Sequence, residues 1–367
     1  MISFTLPKWH DLHCHLRQDG FLAPLIQAQL DMGCYGTLAM PNTRPPLAKV
    51  LEADPLDFES IENYLKQILA SGGDRLKDVI VPLYLTKHTT PKMIEGGAKS
   101  GFLRACKYYP PHGTTGADFG YPFEEFIKNG VFEAMSDCGV VLCTHGEEHG
   151  LEAEDYFDRN KNAEEIFYQE RLPRAIEAMP DLKIVAEHLT TKTGVDLVKQ
   201  AGANMGATIT PQHLLYTVGH LLKGCQYHLY CLPLLKFEED RAALREAATA
   251  SDNTQFFAGT DSAPHTQKAT DCGCAAGCFT GGIAPQLYAQ AFEESGIDLS
   301  QPDGQERLKR FLSHNGPNWY GIALSQESFT LIKTPQEVVK LDVPGEGQVT
   351  PLPLGLGQSH IEWSIKL

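Results

Sequence analysis

Eight short apolar runs recur along the chain, each followed by a stretch able to hold a helix, and this alternation limits the fold more than any other feature. The runs fall at residues 9–15, 35–42, 79–86, 102–109, 140–147, 182–190, 207–213 and 255–261. Helical apolar spacing predicts helices at 21–31, 58–70, 91–99, 123–138, 164–179, 193–201 and 238–250. Strands alternating with helices imply a parallel β/α architecture. Eight such units fit a closed (β/α)8 TIM barrel. The chain's 367 residues hold a barrel of about 250 residues with additions. An open doubly wound sheet is the alternative, but no G-x-G-x-x-G follows a strand. Beyond residue 285 the sequence predicts two or three additional C-terminal helices, one of them at 305–314. The tail, 349–367, ends in the alternating run HIEWSIK, a covering strand or extension. With no internal repeat and no linker, residues 1–367 are expected to form a single barrel domain.

Charge and cysteine placement narrow the setting. A net charge of −15 argues against nucleic acid, whose phosphates select a basic patch. No apolar run reaches the roughly 18 residues that a membrane span needs. The first nine residues lack a basic segment followed by an apolar one, so no signal peptide is expected. Of ten cysteines, Cys106, Cys143 and Cys231 lie inside apolar runs, as buried reduced thiols do. A reducing cytoplasm follows as the expected location. Cys272, Cys274 and Cys278 lack the C-x2-C pair and fourth ligand of a zinc knuckle, so they are read as thiols around a Gly-rich turn.

In a barrel of this kind the chemistry sits at the carboxyl ends of the strands. His13 and His15 end the first run and, two residues apart on a strand, face the same way. Asn42 ends the second, Lys107 lies in the fourth, His145 ends the fifth, His188 the sixth and Asp261 the eighth. Imidazoles and carboxylates suit Zn2+. His13, His15 and Asp261 can hold one ion, and His145 with His188 a second. An ammonium cannot ligate a metal. Beside two cations, however, Lys107 would be pushed to its neutral form, and a neutral amine can add CO2 to give a bridging carbamate. Two metals about 3.5–4 Å apart lower the pKa of a shared water and polarise a carbonyl. Arg17 offers a fork for a carboxylate. His10, His112, His149, His213 and His220 are read as structural, His213 being the nearest to a strand end.

These residues resemble the binuclear metal set of the amidohydrolase superfamily. The stretches DLHCHLR, AMPNTRPP, EHLTTK, ATITPQHL, HLYCLPLLK, GTDSAPH, CGCAAGC and NGPNWYG are similar to dihydroorotases of the compact, single-domain bacterial type. The resemblance implies a zinc-dependent cyclic amidohydrolase. It would interconvert N-carbamoyl-L-aspartate and L-dihydroorotate, the third step of de novo pyrimidine (UMP) synthesis, and would usually be a homodimer. It implies two Zn2+ per subunit, held by His13, His15 and Asp261 and by His145 and His188, and bridged by N6-carboxylated Lys107. Asp261 would also be the catalytic proton shuttle. Arg17, Asn42 and His265 would hold the substrate carboxylate, and the backbone at Leu232 and at Ala275, or its neighbour Ala276, would touch the ring amide. Thr114 and Thr115 would close over the substrate. A hydantoinase-like enzyme is the alternative, and Arg17, Asn42 and His265 argue against it, because a ring without a carboxylate does not need them.

Overall fold

A computed structural model describes residues 2–113, 116–271 and 273–367. The eight runs form eight parallel strands: β1 Trp9–Cys14, β2 Cys34–Ala39, β3 Asp78–Ile80 resuming as Leu83–Tyr84, β4 Ala105–Tyr108, β5 Val141–Thr144, β6 Ile184–Ala186, β7 Met205–Ile209 and β8 Phe256–Ala258. Each pairs in parallel with the next, from β1 to β8. Strand β3 is interrupted by Val81-Pro82, and a proline has no N–H for the ladder. Its first half therefore pairs with β2 and its second with β4. The circle closes beyond β8, where Asp261 N donates to His13 O (2.8 Å) and His15 N to Ser262 O (3.1 Å). The result is a (β/α)8 barrel whose closing seam coincides with the predicted metal ligands.

Period-two alternation fixes what fills the barrel. Ala105 shares a strand face with Lys107, and Val141 and Cys143 share one with His145. These apolar residues join Leu12, Ile80, Val185 and Phe257 in a buried cluster of their own. Trp319 belongs to that cluster, its ring 6.1 Å from Phe257, and it comes from the helix Asn315–Tyr320. The apolar layer thus leaves the polar strand ends at one mouth.

The helices follow the expected spacing where local chemistry permits. Helix Lys192–Ala201 begins at Thr191, whose side chain accepts from Gly194 N, a cap of typically about 1 kcal/mol. The helix expected at 123–138 is two, Phe123–Lys128 and Val131–Cys138, divided at Gly130, which has φ 79°. The one expected at 164–179 changes to a π turn, Phe167–Arg171, between Ala163–Ile166 and Leu172–Ala178. Pro173, at the start of the last piece, cannot donate back along the helix. A second π turn, Arg310–His314, follows Pro302–Lys309.

Outside the barrel, Ser3–Pro7, Ser328–Ile332 and Ser364–Lys366 form an antiparallel sheet. The alternating tail supplies one of its strands. The N-terminal strand was not among the expected elements. Among the described residues no helix is long and apolar enough to cross a membrane. Cys106, Cys143 and Cys231 are buried.

Candidate active site

Five of the strands bring a polar residue to the same mouth. His15 follows β1 directly, and His145 follows β5. His188 and Asp261 stand a little beyond β6 and β8, and Lys107 lies within β4. Nε2 of His15 is 2.9 Å from an Asp261 carboxylate oxygen, and Nε2 of His13 is 3.4 Å from the same oxygen. One donor atom from each of these three residues lies within 4.8 Å of the others, a set able to hold a metal ion. The imidazoles form a continuous row. Ring centroids are 5.7 Å apart for His15 and His13, 4.9 Å for His13 and His188, and 4.8 Å for His188 and His145.

Buried partners orient several of these rings. Nδ1 of His13 is 2.7 Å from a Glu187 oxygen, and Glu187 accepts in turn from Thr208 Oγ1 at 2.6 Å. Nε2 of His145 is 2.7 Å from Glu147, and Nδ1 of His15 is 2.8 Å from Asn42 Oδ1. Burial lowers the His15 pKa to about 4 in spite of Asp261. It pulls His188 down further, assisted by Lys107 and His145. Burial alone would lower His13 as well, but Glu187 beside it raises it. Desolvation would raise Asp261, yet hydrogen bonds from His13 and His15 hold it well below the usual carboxylate range.

Lys107 is fully buried, and among the described residues its amine has no hydrogen-bond partner; His188 Nδ1 has none there either. The lysine Nζ lies 5.2 Å from the Tyr109 ring centroid, and desolvation lowers its pKa. Orphaned buried polar atoms are costly and call for an explanation. A donor set of four imidazoles, one carboxylate and an unpartnered amine fits bound metal.

A pocket opens over these groups. Its walls include Arg17, Asn42, Tyr109, Leu232, Ala263, Ala276 and Gly277. Arg17 is half-buried in this wall, and desolvation lowers its pKa although the charge of Asp261 opposes the shift. Of the two neighbouring alanines it is Ala276 that lines the pocket; the Ala275 carbonyl instead accepts from Lys268. His265 sits behind the turn, Nε2 2.8 Å from Ala276 O, and lines an adjoining cavity. Thr114 and Thr115 lie outside the described residues. His213 is held between Thr210 Oγ1 and the Pro233 carbonyl, away from the row of rings.

Three residues of the mouth have left-handed backbone: Arg17 (φ 54°), His188 (φ 41°) and Asp261 (φ 46°). Non-glycine residues adopt this region at a cost of about 1–3 kcal/mol, typically at functional sites. Sequence reasoning missed Glu187, Glu147 and Tyr109. A detectable signal existed for the first, an acid inside the apolar run LKIVAEHLT, which a buried strand does not hold without a partner.

No family model matches the chain. Curated proteins do. A dihydroorotase of Stutzerimonas stutzeri is 40% identical over 367 residues, covering 99% of this chain and 98% of its own. One of Hahella chejuensis is 38% identical over 371 residues, covering 100% of both.

The chain belongs to the dihydroorotase family.

Solved dihydroorotases share the architecture. The Saccharomyces cerevisiae enzyme, in complex with 5-fluoroorotic acid, superposes with a TM-score of 0.85 at 26% identity, covering 100% of this chain and 99% of its own. The Campylobacter jejuni dihydroorotase gives 0.83 at 28% identity, covering 100% and 98%. An L-hydantoinase from Arthrobacter aurescens gives 0.74 at 17% identity over 99% of this chain and 83% of its own, which shows a common fold alone. The family is one of cyclic amidohydrolases, and the barrel mouth described above is where this member gathers its polar side chains.

Proposed function

We propose that this chain is a zinc-dependent dihydroorotase that interconverts N-carbamoyl-L-aspartate and L-dihydroorotate. The observation that carries the reading is a metal-competent row of imidazoles facing a pocket that also presents Arg17 and Asn42. His13, His15 and Asp261 would hold one ion and His145 and His188 another. The orphaned amine of Lys107 would take up CO2, release a proton and become the bridging carbamate. Bound metal would supply a water of lowered pKa and polarise the substrate carbonyl.

The chain's own groups do the rest. Arg17 grips the substrate carboxylate through two parallel N–H···O bonds, with Asn42 and His265 beside it. The backbone at Leu232 and Ala276 meets the ring amide. In ring opening, a water oxygen bonds to the ring carbonyl carbon and the C–N bond breaks. Asp261 Oδ1 or Oδ2 takes the water's proton and delivers it to the departing nitrogen. Ring closure runs the same path backwards and releases water. General acid–base work of this kind contributes about 10²–10⁴-fold. Thr114 and Thr115 would cover the bound substrate.

A homodimer of single-domain subunits, in the cytoplasm, completes the proposal; light scattering of the purified protein reads its oligomeric state. The deciding test is turnover of dihydroorotate against a panel of hydantoins, with metal content measured on the same sample. Dihydroorotate should be preferred, with zinc bound. Preference for a ring without a carboxylate would turn the reading to a hydantoinase.

A further inference from the structure

One cation beside the pocket has no part in the chemistry above. The ammonium of Lys268 donates to three backbone carbonyls: Tyr230 at 2.7 Å, Ala275 at 2.6 Å and Gly277 at 2.6 Å. An ammonium has three N–H groups, so none is left for a ligand. The carbonyls come from two separate segments. Ala275 and Gly277 flank Ala276 in the turn that lines the pocket, and Tyr230 lies two residues before Leu232, which lines it too. Further bonds tie the same pieces together, Gly277 N to Tyr230 O (2.9 Å) and Ala275 N to Lys268 O (2.8 Å).

Peptide planarity converts this grip into an aim. In a trans peptide the C=O of one residue and the N–H of the next lie in one plane and point in opposite directions. The bond between Ala275 and Ala276 is trans. With the Ala275 carbonyl drawn onto Lys268, the Ala276 N–H is turned the other way. Gly277 N–H is already spent on Tyr230. His265 holds the Ala276 carbonyl, which fixes the turn from its other side.

We propose that Lys268 is a positioning residue for the substrate: by holding the Ala275, Gly277 and Tyr230 carbonyls, it aims the Ala276 N–H at a ring carbonyl of the cyclic amide. The proposal rests on the dihydroorotase reading above. Lys268→Met keeps the length and the apolar stem and removes all three donors. It should raise KM for dihydroorotate roughly 10-fold or more while kcat stays within about threefold, the pattern of a lost uniform binding contact. Lys268→Arg keeps a cation with several donors and should recover most of the loss. The thermal midpoint is measured on each variant. KM within about twofold of the unaltered enzyme in folded Lys268→Met would overturn the proposal. So would a fall in kcat alone, or a raised KM that Lys268→Arg does not recover. If Lys268→Met does not fold, Lys268→Gln is judged by the same criteria. Failure of both to fold makes the lysine a folding determinant and ends the proposal. Lack of dihydroorotate turnover by the unaltered protein is a different result, and it removes the parent reading.

Discussion

Nδ1 of His13 lies 2.7 Å from a carboxylate oxygen of Glu187, and both side chains are buried. The contact joins β1 to the end of β6 across the barrel. It fixes the ring so that Nε2 faces Asp261. Carboxylates placed in this way orient metal-binding imidazoles and raise their basicity.

Glu187→Gln should therefore weaken metal retention by roughly 10–100-fold while the barrel stays folded. Competition with a chelator, read as metal remaining on the protein, measures it. Retention equal to that of the unaltered chain would mean that the carboxylate plays no part in the site.

Lys107→Ala should abolish turnover, and short-chain carboxylic acids should restore part of it by standing in for the carbamate. Chelation should likewise stop the unaltered enzyme, and added Zn2+ should restart it. Full activity in Lys107→Ala would end the bridging role.

Arg17→Lys should act mainly on substrate binding. Exchanging a bidentate fork for a point charge removes a charge-assisted hydrogen bond of about 1.5–3 kcal/mol, or roughly 10–100-fold in KM. An unchanged KM would take Arg17 out of the carboxylate site.

Glu164 supplies a pH dependence separate from the metal ligands. Its buried carboxyl accepts from Thr190 N at 2.8 Å and Thr191 N at 3.2 Å, with Lys236 at 3.8 Å. Burial outweighs these partners and pushes its pKa up to about 7 from its ordinary value of 4.5. A carboxyl raised on folding contributes stability that is complete below the unfolded value and is lost as pH rises through the folded one. Glu164→Gln has no charge to lose. Its stability relative to the unaltered chain should improve between about pH 5 and about pH 8, read by urea unfolding. A difference that does not change with pH would contradict the shift.

The sequence showed the fold where one physical signal dominated. Eight apolar runs with helical spacing between them sufficed for the barrel, because burial on both faces leaves few alternatives. His13, His15, His145, His188 and Asp261 were legible because strand ends of such barrels are where chemistry collects. Features set by contacts between distant segments were not. The three donors of Lys268 reach carbonyls 7 to 38 positions away along the chain. That Ala276 and not Ala275 lines the pocket is decided by the local path of a Gly-rich turn. The edge strand Ser3–Pro7 is five residues long, and its one partner, Ser328–Ile332, lies at the opposite end of the chain.

The left-handed backbone at His188 and Asp261 has an outcome for anyone seeking a hardier version of this protein. Glycine adopts that conformation without steric penalty, so replacement there relieves backbone tension that the native residues must bear. A screen that rewards heat resistance alone would be drawn to these two positions and would return a sturdier, silent barrel.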